Sequence, residues 1–281
     1  MIQDIGSKKL NNHYDPTAVP DDTSLIFFIK KGACAVSGEE PALVLPTYGE
    51  CSRSFSYTYL FSIDKETFFL ADDDCPVPNG FRFVPIKSLR NDSLQPKHYI
   101  FAAFTALHLS HWYAANRFCG TCGTRTVHDS VERARRCPSC GSVIYPKLLP
   151  AVIVAVTNGD RILLTKYNRP GNTPNYALIA GIGEIGETLE QCVAREVMEE
   201  SGLRVKNIRY YKSQPWGIVD DILAGFYCDV DGDDEIRLDR TELKEGAWFR
   251  REEVVLQTTD FSLTNEMMKR FKEGKENEPL S

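Results

Sequence analysis

The stretch GIGEIGETLEQCVAREVMEESGL, from Gly181 to Leu203, decides how the whole sequence is interpreted. Its apolar residues recur every three or four positions after Thr188, which predicts a helix over residues 188–201. At about 100° per residue, one face of this helix spans roughly 60° and carries four residues: Leu189, Val193, Glu196 and Glu200. The apolar face of the predicted helix therefore ends in carboxylates, with Glu199 at its edge.

Carboxylates on a core-facing helix need a counter-charge, because an unpaired buried charge is very costly. Arg195 can supply only part of it, through an i,i+4 pair with Glu199. Clustered carboxylates also repel one another and raise each other's pKa. Divalent cations such as Mg²⁺ solve both problems, since they bind carboxylate oxygens together with substrate phosphates. The alternative, a solvated acidic face, is disfavoured because Glu196 and Glu200 share their face with apolar residues.

Three glycines, Gly181, Gly183 and Gly186, lie directly before this helix. Glycine allows a tight turn and lets the backbone approach a ligand closely. Glu187 follows at the start of the helix, where the helix dipole favours a negative charge. The stretch therefore predicts a strand, a loop that can approach a ligand, and a helix that carries the carboxylates.

The same residues resemble the Nudix box of the Nudix hydrolases, Gx5Ex7REUxEExGU, in which U is an aliphatic residue. Every fixed position is filled, by Gly181, Glu187, Arg195, Glu196, Val197, Glu199, Glu200, Gly202 and Leu203. The resemblance implies an α/β fold, an α/β/α sandwich with a mixed sheet. It also implies hydrolysis of a nucleoside diphosphate linked to another moiety, with Mg²⁺ or Mn²⁺ as the cofactor.

Around this stretch, residues 149–281 alternate strand and helix patterns. The segment AVIVAVTNGDRILLTKY predicts a hairpin around an Asn-Gly-Asp turn. Further elements are predicted as strands near 205–211, 222–230 and 247–249 and a last helix near 263–271. Residues 1–112 form a separate β-rich α+β domain that ends in a predicted helix. His108 and His111 lie on that helix with no acidic or Cys neighbour in the sequence, so they are assigned packing or surface roles.

Residues 113–148 contain four of the nine cysteines, in two CxxCG turns: Cys119-x2-Cys122 and Cys137-x2-Cys140. Two such turns offer four thiolates to one tetrahedral Zn²⁺, and four cysteines leave no position for water. The predicted zinc is therefore structural. Two redox pairs are the less favoured alternative, because the segment lacks a βαβ pattern. The other five cysteines are interpreted as buried structural thiols: Cys34, Cys51, Cys75, Cys192 and Cys228.

Zinc ribbons also bind nucleic acid, and this one carries five arginines: Arg117, Arg125, Arg133, Arg135 and Arg136. One hypothesis is therefore a nucleic-acid-binding regulator whose Nudix domain only senses a ligand. The complete set of box carboxylates argues against it, since a sensor does not need them. A metal-stapled strut between two domains is the favoured role of the ribbon.

The order of the three regions, together with Ser213-Gln214-Pro215-Trp216, resembles the NADH pyrophosphatase branch of the Nudix hydrolases. The resemblance covers most of the chain from the ribbon onward and is looser before it. It implies cleavage of NAD or NADH into nicotinamide mononucleotide and AMP, by a homodimer. Bacterial members of the branch also remove NAD caps from RNA.

The resemblance also implies roles for individual residues. Glu196 and Glu200 match metal-binding glutamates, and Glu199 matches the remaining catalytic carboxylate at the metal site. The backbone carbonyl of Ala180 and the side chain of Glu242 match further metal ligands. Five positions match residues that contact or lie near the substrate: Glu132, Tyr145, Gln214, Pro215 and Trp216. The rings of Tyr145 and Trp216 suit stacking on a base, although Trp216 could instead pack in the core.

The chain departs from the branch directly after this motif. The family pattern is SQPWPFPxS, whereas residues 213–221 read SQPWGIVDD. The prolines that would pre-set a rigid loop are missing, and two acidic residues appear. ADP-ribose or another dinucleotide is therefore an alternative substrate.

The bulk properties limit the partners. The formal net charge is −6, so phosphate recognition must be local rather than spread over the surface. The sequence shows no segment that reads as a signal peptide or is long enough to span a bilayer. With an odd number of cysteines and no signal peptide, the sequence predicts a cytoplasmic protein without a membrane partner.

Overall fold

The computed structural model describes residues 1–168 and 175–278. The chain forms two compact units that are not consecutive in sequence. The N-terminal unit comprises Gln3–Leu148 and Trp216–Asp220, and the C-terminal unit comprises Met1–Ile2, Leu149–Pro215 and Asp221–Ser281. The predicted division into residues 1–112, 113–148 and 149–281 stays a prediction.

The N-terminal unit is built from short strands and one long helix. Its strands are β1 (Leu10–Asn11), β2 (Leu25–Phe27), β3 (Ile29–Lys30), β4 (Ala33–Val36), β5 (Tyr57–Ile63), β6 (Glu66–Ala71), β7 (Arg82–Pro85), β8 (Val127–His128), β9 (Arg135–Arg136) and β10 (Val143–Ile144). The helix is α1 (Lys97–Ala115), and 3-10 turns occupy Tyr48–Glu50 and Ile86–Leu89. The strands form three sheets, ordered β1-β5-β6-β2, β3-β4-β7 and β10-β9-β8.

Helix α1 forms because its 19 residues are rich in Ala, Leu and aromatic side chains and contain no Gly or Pro. It packs against β5 and β6, and its buried residues include Ile100, Phe101, Phe104 and Trp112. The helix that the sequence predicts at this place is confirmed.

The C-terminal unit is organised around one mixed sheet. Its strands are β11 (Leu149–Asn158), β12 (Arg161–Tyr167), β13 (Ile179–Ile182), β14 (Val205–Trp216), β15 (Asp221–Val230) and β16 (Leu243–Arg250). Its helices are α2 (Leu189–Ser201) and α3 (Leu263–Lys272), with a 3-10 turn at Arg251–Glu253. The strand order is β14-β15-β11-β12-β16, and β13 pairs with β11. The pairing of β11 is parallel with β15 and antiparallel with β12 and β13.

Alternate residues of β11 divide the core into two layers. Val152, Val154 and Val156 pack with Val193 and Val197 of α2. The residues between them, Ile153 and Ala155, pack in a second cluster with Leu263, Met267, Met268 and Phe271 of α3. Because successive side chains of a strand point to opposite faces, α2 and α3 cover opposite sides of the sheet. The predicted α/β/α sandwich is confirmed.

None of the helices in the part of the chain that the structure describes combines the length and the apolar character needed to span a bilayer.

Candidate active site

Helix α2 has well-defined ends that fix its glutamates in place. Thr188 is the N-cap: its hydroxyl accepts from the Gln191 N–H at 3.2 Å, and the Gln191 side chain accepts from the Thr188 N–H at 2.8 Å. Gly202 ends the helix at a φ of +71°, which favours glycine. The helix therefore starts and ends where the sequence pattern predicts.

Glu196 lies directly against strand β13. Its side chain is 12% exposed, and a Cβ built on Gly181 would be 1.8 Å from the Glu196 carboxyl carbon. Gly181 is therefore required here by contact, since any side chain would occupy the place of the carboxylate. This contact brings Glu196 to the strand that also contains Ala180, whose backbone carbonyl is a predicted metal ligand.

Arg195 connects the acidic residues of α2. Its guanidinium binds both carboxylate oxygens of Glu187, at 2.8 Å and 2.9 Å, and its Nη1 donates to Glu196 at 2.7 Å and to Glu199 at 3.0 Å. These hydrogen bonds, with one from the backbone N–H of Glu184, hold the pKa of Glu187 at about 2. Glu187 therefore holds Arg195, and Arg195 orients Glu196 and Glu199.

The three glutamates of the helix have different environments. Glu200 is only 2% exposed, the Glu196 side chain is 12% exposed and the Glu199 side chain is 57% exposed. This agrees with the helix geometry, which puts Glu196 and Glu200 on the inner face and Glu199 at its edge. A buried carboxylate at Glu200 suits a ligand for a hard cation, because a cation offsets the cost of burial.

Glu242 acts on Glu196 from a distant part of the sequence. It lies just before β16, and its backbone N–H donates to the Asp239 carbonyl at 3.3 Å. Burial raises the pKa of Glu196, the Arg195 guanidinium opposes this, and the charges of Glu199 and Glu242 raise it further. Glu242 therefore contributes negative charge to the same region as the box glutamates.

By donor chemistry, these residues fit Mg²⁺ or Mn²⁺, which prefer carboxylate and carbonyl oxygens. The oxygens are spread out, however. Within residues 1–168 and 175–278, only the four ribbon cysteines form a tight group of possible metal ligands. Their ligand atoms all lie within 4.8 Å of one another, and no other set of three or more His, Cys, Asp or Glu side chains does so. Arg195 Nη1 binds both Glu196 and Glu199, so a cation would compete with this guanidinium for them.

The four ribbon cysteines do converge on one point. The Sγ atoms of Cys119 and Cys140 are 3.6 Å apart, and those of Cys122 and Cys137 are 3.4 Å apart. Backbone N–H groups point at sulfur, from Thr121 to Cys119 at 3.4 Å and from Cys140 to Cys137 at 3.5 Å. Such bonds lower the pKa of Cys119 to about 6, which favours the thiolate. The cluster fits one structural Zn²⁺ with four thiolate ligands.

The ribbon also positions two predicted substrate residues. The Tyr145 hydroxyl donates to Glu132 at 2.6 Å, and the Tyr145 side chain is exposed. The structure thus brings Glu132 and Tyr145 together, as a phenol and a carboxylate in one exposed pair. Their contact with a substrate stays a prediction.

Gln214 is fully buried and has a structural use. Its amide nitrogen donates to the Phe261 carbonyl at 2.7 Å, and its amide oxygen accepts from the Leu263 N–H at 2.7 Å. Leu263 is the first residue of α3, so Gln214 connects β14 to the start of that helix. A role of Gln214 in binding substrate stays a prediction.

Trp216 begins a loop that rests on helix α1. Its ring lies 5.8 Å from the ring of Phe104 and 5.5 Å from the guanidinium of Arg90. A Cβ on Gly217 would be 2.1 Å from the Phe104 carbonyl oxygen, so only glycine allows this approach. Core packing and base stacking both stay predictions for Trp216. The glycine at position 217 is explained by its close contact with Phe104.

The same loop brings an acidic side chain to His108 and His111. The carboxylate of Asp220, a residue with a φ of +62°, lies 3.0 Å from His111 Nδ1 and 4.0 Å from His108 Nε2. The packing or surface roles of these histidines stay a prediction, now with an acidic neighbour that the sequence pattern did not show. The partner is more than a hundred residues away in sequence, and only the fold brings it close.

Comparisons with known proteins identify two domains in the chain. Residues 147–271 match the family model for the NUDIX domain, and residues 114–145 match that for the NADH pyrophosphatase zinc ribbon domain. A crystal structure of a NUDIX hydrolase from Nitrosomonas europaea aligns with a TM-score of 0.50 and 24% identity, over 59% of this chain and 95% of that chain. At this identity the likeness supports the fold alone.

Curated relatives match over part of the chain. The NAD-capped RNA hydrolase NudC of Pectobacterium atrosepticum is 44% identical over 147 residues, 52% of this chain and 55% of the relative. The NAD-capped RNA hydrolase NudC of Vibrio atlanticus is 38% identical over 177 residues, 63% and 64% respectively. The chain thus spans somewhat more than half the length of these relatives. Residues 147–271 thus match the NUDIX domain, and residues 114–145 before them match the zinc ribbon domain of NADH pyrophosphatases.

Proposed function

We propose that this chain hydrolyses the diphosphate bond of NAD or NADH, giving nicotinamide mononucleotide and AMP. The observation that carries the proposal is the pair of inner glutamates on α2: Glu200 is buried, and Glu196 fits the space left by Gly181. A cation bound by these carboxylates would offset the cost of their burial and supply the chemistry that a diphosphate needs.

In the proposed mechanism, Glu196, Glu200 and Glu242 hold Mg²⁺ or Mn²⁺ together with the Ala180 carbonyl. A cation held there would supply charge neutralisation for the diphosphate and a lowered pKa for the attacking water. Glu199, the most exposed of the box glutamates, is placed to orient that water or accept its proton. Arg195 orients Glu196 and Glu199, because it donates to both of them.

Removal of NAD caps from RNA is part of the same proposal. It uses the same bond cleavage, and the curated relatives are named NAD-capped RNA hydrolases. Tyr145 and Trp216 offer aromatic rings for a base, and the Tyr145–Glu132 pair offers a carboxylate and a hydroxyl to a nucleotide. The zinc in the ribbon has a structural role in this proposal, since four thiolates complete its coordination.

The test is product analysis on a panel of substrates with Mg²⁺ and with Mn²⁺. The panel contains NADH, NAD, ADP-ribose, a diadenosine polyphosphate and NAD-capped RNA, and products are separated by liquid chromatography. We expect nicotinamide mononucleotide and AMP from NAD or NADH, and 5′-monophosphate RNA from the capped strand. Faster turnover of ADP-ribose than of NAD or NADH would show that ADP-ribose is the preferred substrate and would contradict the proposed one.

That second candidate, hydrolysis of ADP-ribose or another dinucleotide, is favoured by one observation. The loop after Trp216 lacks the family prolines and instead rests on α1 through Gly217 and Asp220. The other alternative, a nucleic-acid-binding regulator, is tested with the same purified protein. A gel shift with RNA and no hydrolysis of any panel member would favour the regulator.

We also propose that the protein acts in the cytoplasm as a homodimer. All nine cysteines lie in the described residues and none forms a disulfide, which suits a reducing compartment. The dimer is carried over from the resemblance, and light scattering coupled to size-exclusion chromatography tests it. A mass of one chain at working concentration would contradict the dimer.

A further inference from the structure

The N-terminal unit contains a cavity of about 740 Å³ that the proposed function does not use. Five parts of that unit line it: the β3–β4 turn, the start of β5, the end of β6, the second half of α1 and the zinc ribbon. Its volume lies within the range of small-molecule sites, roughly 300–1,000 Å³. A cavity of this size can therefore hold a ligand as large as a nucleotide.

The ribbon wall of this cavity contains a buried positive charge. Arg135 is 9% exposed, and its guanidinium donates to the Thr126 hydroxyl at 3.0 Å and to the Thr126 carbonyl at 2.6 Å. Both partners are neutral, and no carboxylate of residues 1–168 or 175–278 forms an ion pair with Arg135. Burial of an uncompensated guanidinium is costly, so an anion in the cavity would stabilise it.

A second guanidinium lies near the first. Arg125 also lines the cavity, so two guanidiniums border the same space. Lys30 and Lys31 add two exposed ammonium groups from the β3–β4 turn. Two neighbouring guanidiniums are typical of a site that binds phosphate, because each can donate two hydrogen bonds.

Aromatic rings accompany these cations. Tyr113 and His128 line the same cavity, with ring centroids 5.2 Å apart and an angle of 52° between the rings. Base–aromatic stacking tolerates any base, since every base has a π face. A phosphate near Arg125 and Arg135 would therefore have an aromatic surface for its base within the same cavity.

The β6 side of the cavity is acidic and complements a different group. Asp73 is neutralised by an ion pair with Arg117, while Asp72 and Asp74 flank it. These carboxylates repel phosphate, so they restrict it to the ribbon wall. They can accept hydrogen bonds from ribose hydroxyls, as acidic residues do in other nucleotide sites. The ribbon wall is thus basic and suits a phosphate, whereas the β6 side is acidic and suits ribose hydroxyls.

We propose that this cavity is a second nucleotide site, distinct in sequence from the Nudix box. The phosphate binds Arg125 and Arg135, the base stacks on Tyr113 and His128, and the ribose hydroxyls face Asp72 and Asp74. The ligand is a ribonucleotide, either a free mononucleotide or one residue of an RNA strand.

The first experiment locates bound nucleotide by photo-crosslinking of 8-azido-AMP to the full-length, zinc-loaded chain. The chain carries Glu200→Gln and no Mg²⁺ is added, so that the proposed metal site does not retain the probe. We expect label on peptides that contain Tyr113 or His128, and loss of that label in Arg125→Glu. Arg82→Glu, an exposed arginine outside the cavity, is the matched control and should keep the label.

Because a charge reversal adds repulsion, Arg135→Gln serves as the second variant, with zinc content and circular dichroism as checks of folding. Label confined to residues 149–278, or label at Tyr113 and His128 that survives both Arg125→Glu and Arg135→Gln, would overturn the proposal. If the panel assay shows no NADH hydrolysis while this labelling persists, the proposed function fails and the second site stands.

The second experiment distinguishes the two sources of the ligand. Fluorescence anisotropy compares a labelled, 5′-phosphorylated RNA trinucleotide with DNA of the same sequence, and AMP is added as a competitor. We expect tighter binding of RNA than of DNA, and about tenfold weaker RNA binding in Arg125→Glu, as for loss of a charge-assisted contact. Displacement by AMP identifies a free nucleotide as a ligand, and its absence identifies RNA. Equal affinities for RNA in the parent and in both arginine variants would contradict the site.

Discussion

Gly181 and Glu196 form a contact that leaves no room for another atom. A Cβ at position 181 would be 1.8 Å from the Glu196 carboxyl carbon. We therefore expect Gly181→Ala to displace the carboxylate and reduce turnover by about tenfold or more, at a cost in stability of about 1–3 kcal/mol. Enzyme assay and thermal unfolding measure both effects. Gly183→Ala is the matched control, because its Cβ meets nothing nearer than 3.6 Å and should keep wild-type stability.

Glu200 provides the residue-scale test of the cation. Replacing Glu200 with Gln keeps the shape and removes the charge, so we expect turnover to fall by at least about 100-fold with an unchanged circular dichroism spectrum. Glu190→Gln, an exposed glutamate of the same helix, should stay within about twofold of wild type. Near wild-type turnover in Glu200→Gln would remove Glu200 from the mechanism.

Glu187 predicts a pH dependence of stability. Its pKa falls from an ordinary 4.5 to about 2, chiefly through hydrogen bonds from Arg195 and the Glu184 N–H. The native state therefore binds this proton less readily than the unfolded state does. The stabilisation is complete above pH 4.5 and is lost as the pH falls towards 2. The denaturation midpoint of Glu187→Gln should lie below wild type at pH 7, and the gap should narrow through this window; a constant gap would refute the ion-pair explanation.

At the scale of elements, most of the C-terminal unit could be predicted because its periodic patterns are long. The β11–β12 hairpin, α2 and α3 lie where their patterns place them. Strand β14 extends to Trp216, beyond the predicted end near Tyr211, because Pro215 is tolerated in a strand at the edge of the sheet. Strand β16 begins at Leu243, before the predicted residues 247–249, and includes Gly246, which does not favour a strand in the sequence pattern. A Cβ at Gly246 would be 2.7 Å from Leu238.

The candidate site was predictable only where its residues are close in sequence. The box glutamates and the four cysteines follow fixed spacings, and the helix geometry gave them distinct faces. The charge of Glu242 on Glu196 and the partner of His111 depend on contacts between distant segments, which periodicity does not encode. The Arg135 cavity had a weak signal in the sequence, the excess of arginine in the ribbon, but no pattern showed which arginine is buried.

The ribbon is the element whose stability should depend on metal. Four cysteines with little apolar core around them need Zn²⁺ to fold, because structural zinc supplies folding free energy directly. We expect Cys137→Ser to lose zinc and to lower the midpoint of thermal unfolding. Zinc content by mass spectrometry and calorimetry measure this. Ser139→Ala changes an exposed residue of the same CxxC turn and should retain the metal; zinc retention in Cys137→Ser would contradict the four-thiolate site.

At the scale of the whole molecule, residues Trp216–Asp220 group with the N-terminal unit although they lie between two strands of the C-terminal sheet. The contact with α1 depends on Gly217, because a Cβ there would be 2.1 Å from the Phe104 carbonyl oxygen. Gly217→Ala should therefore lower the free energy of unfolding by about 1–3 kcal/mol, measured by urea denaturation. Gly120→Ala, with open space around its Cβ and no positive φ, is the control.

The contacts of the Trp216–Asp220 loop limit where the chain can be divided to make a gene fusion. A gene fusion that joined residues 149–281 to another partner would carry the Trp216–Asp220 loop without the helix on which it rests. Trp216 would lose Phe104 and Arg90, and Asp220 would lose His111. The border near residue 148 is therefore a boundary of sequence pattern and not a point at which modules can be exchanged. We therefore expect a substitution in the loop to require a matching substitution in α1.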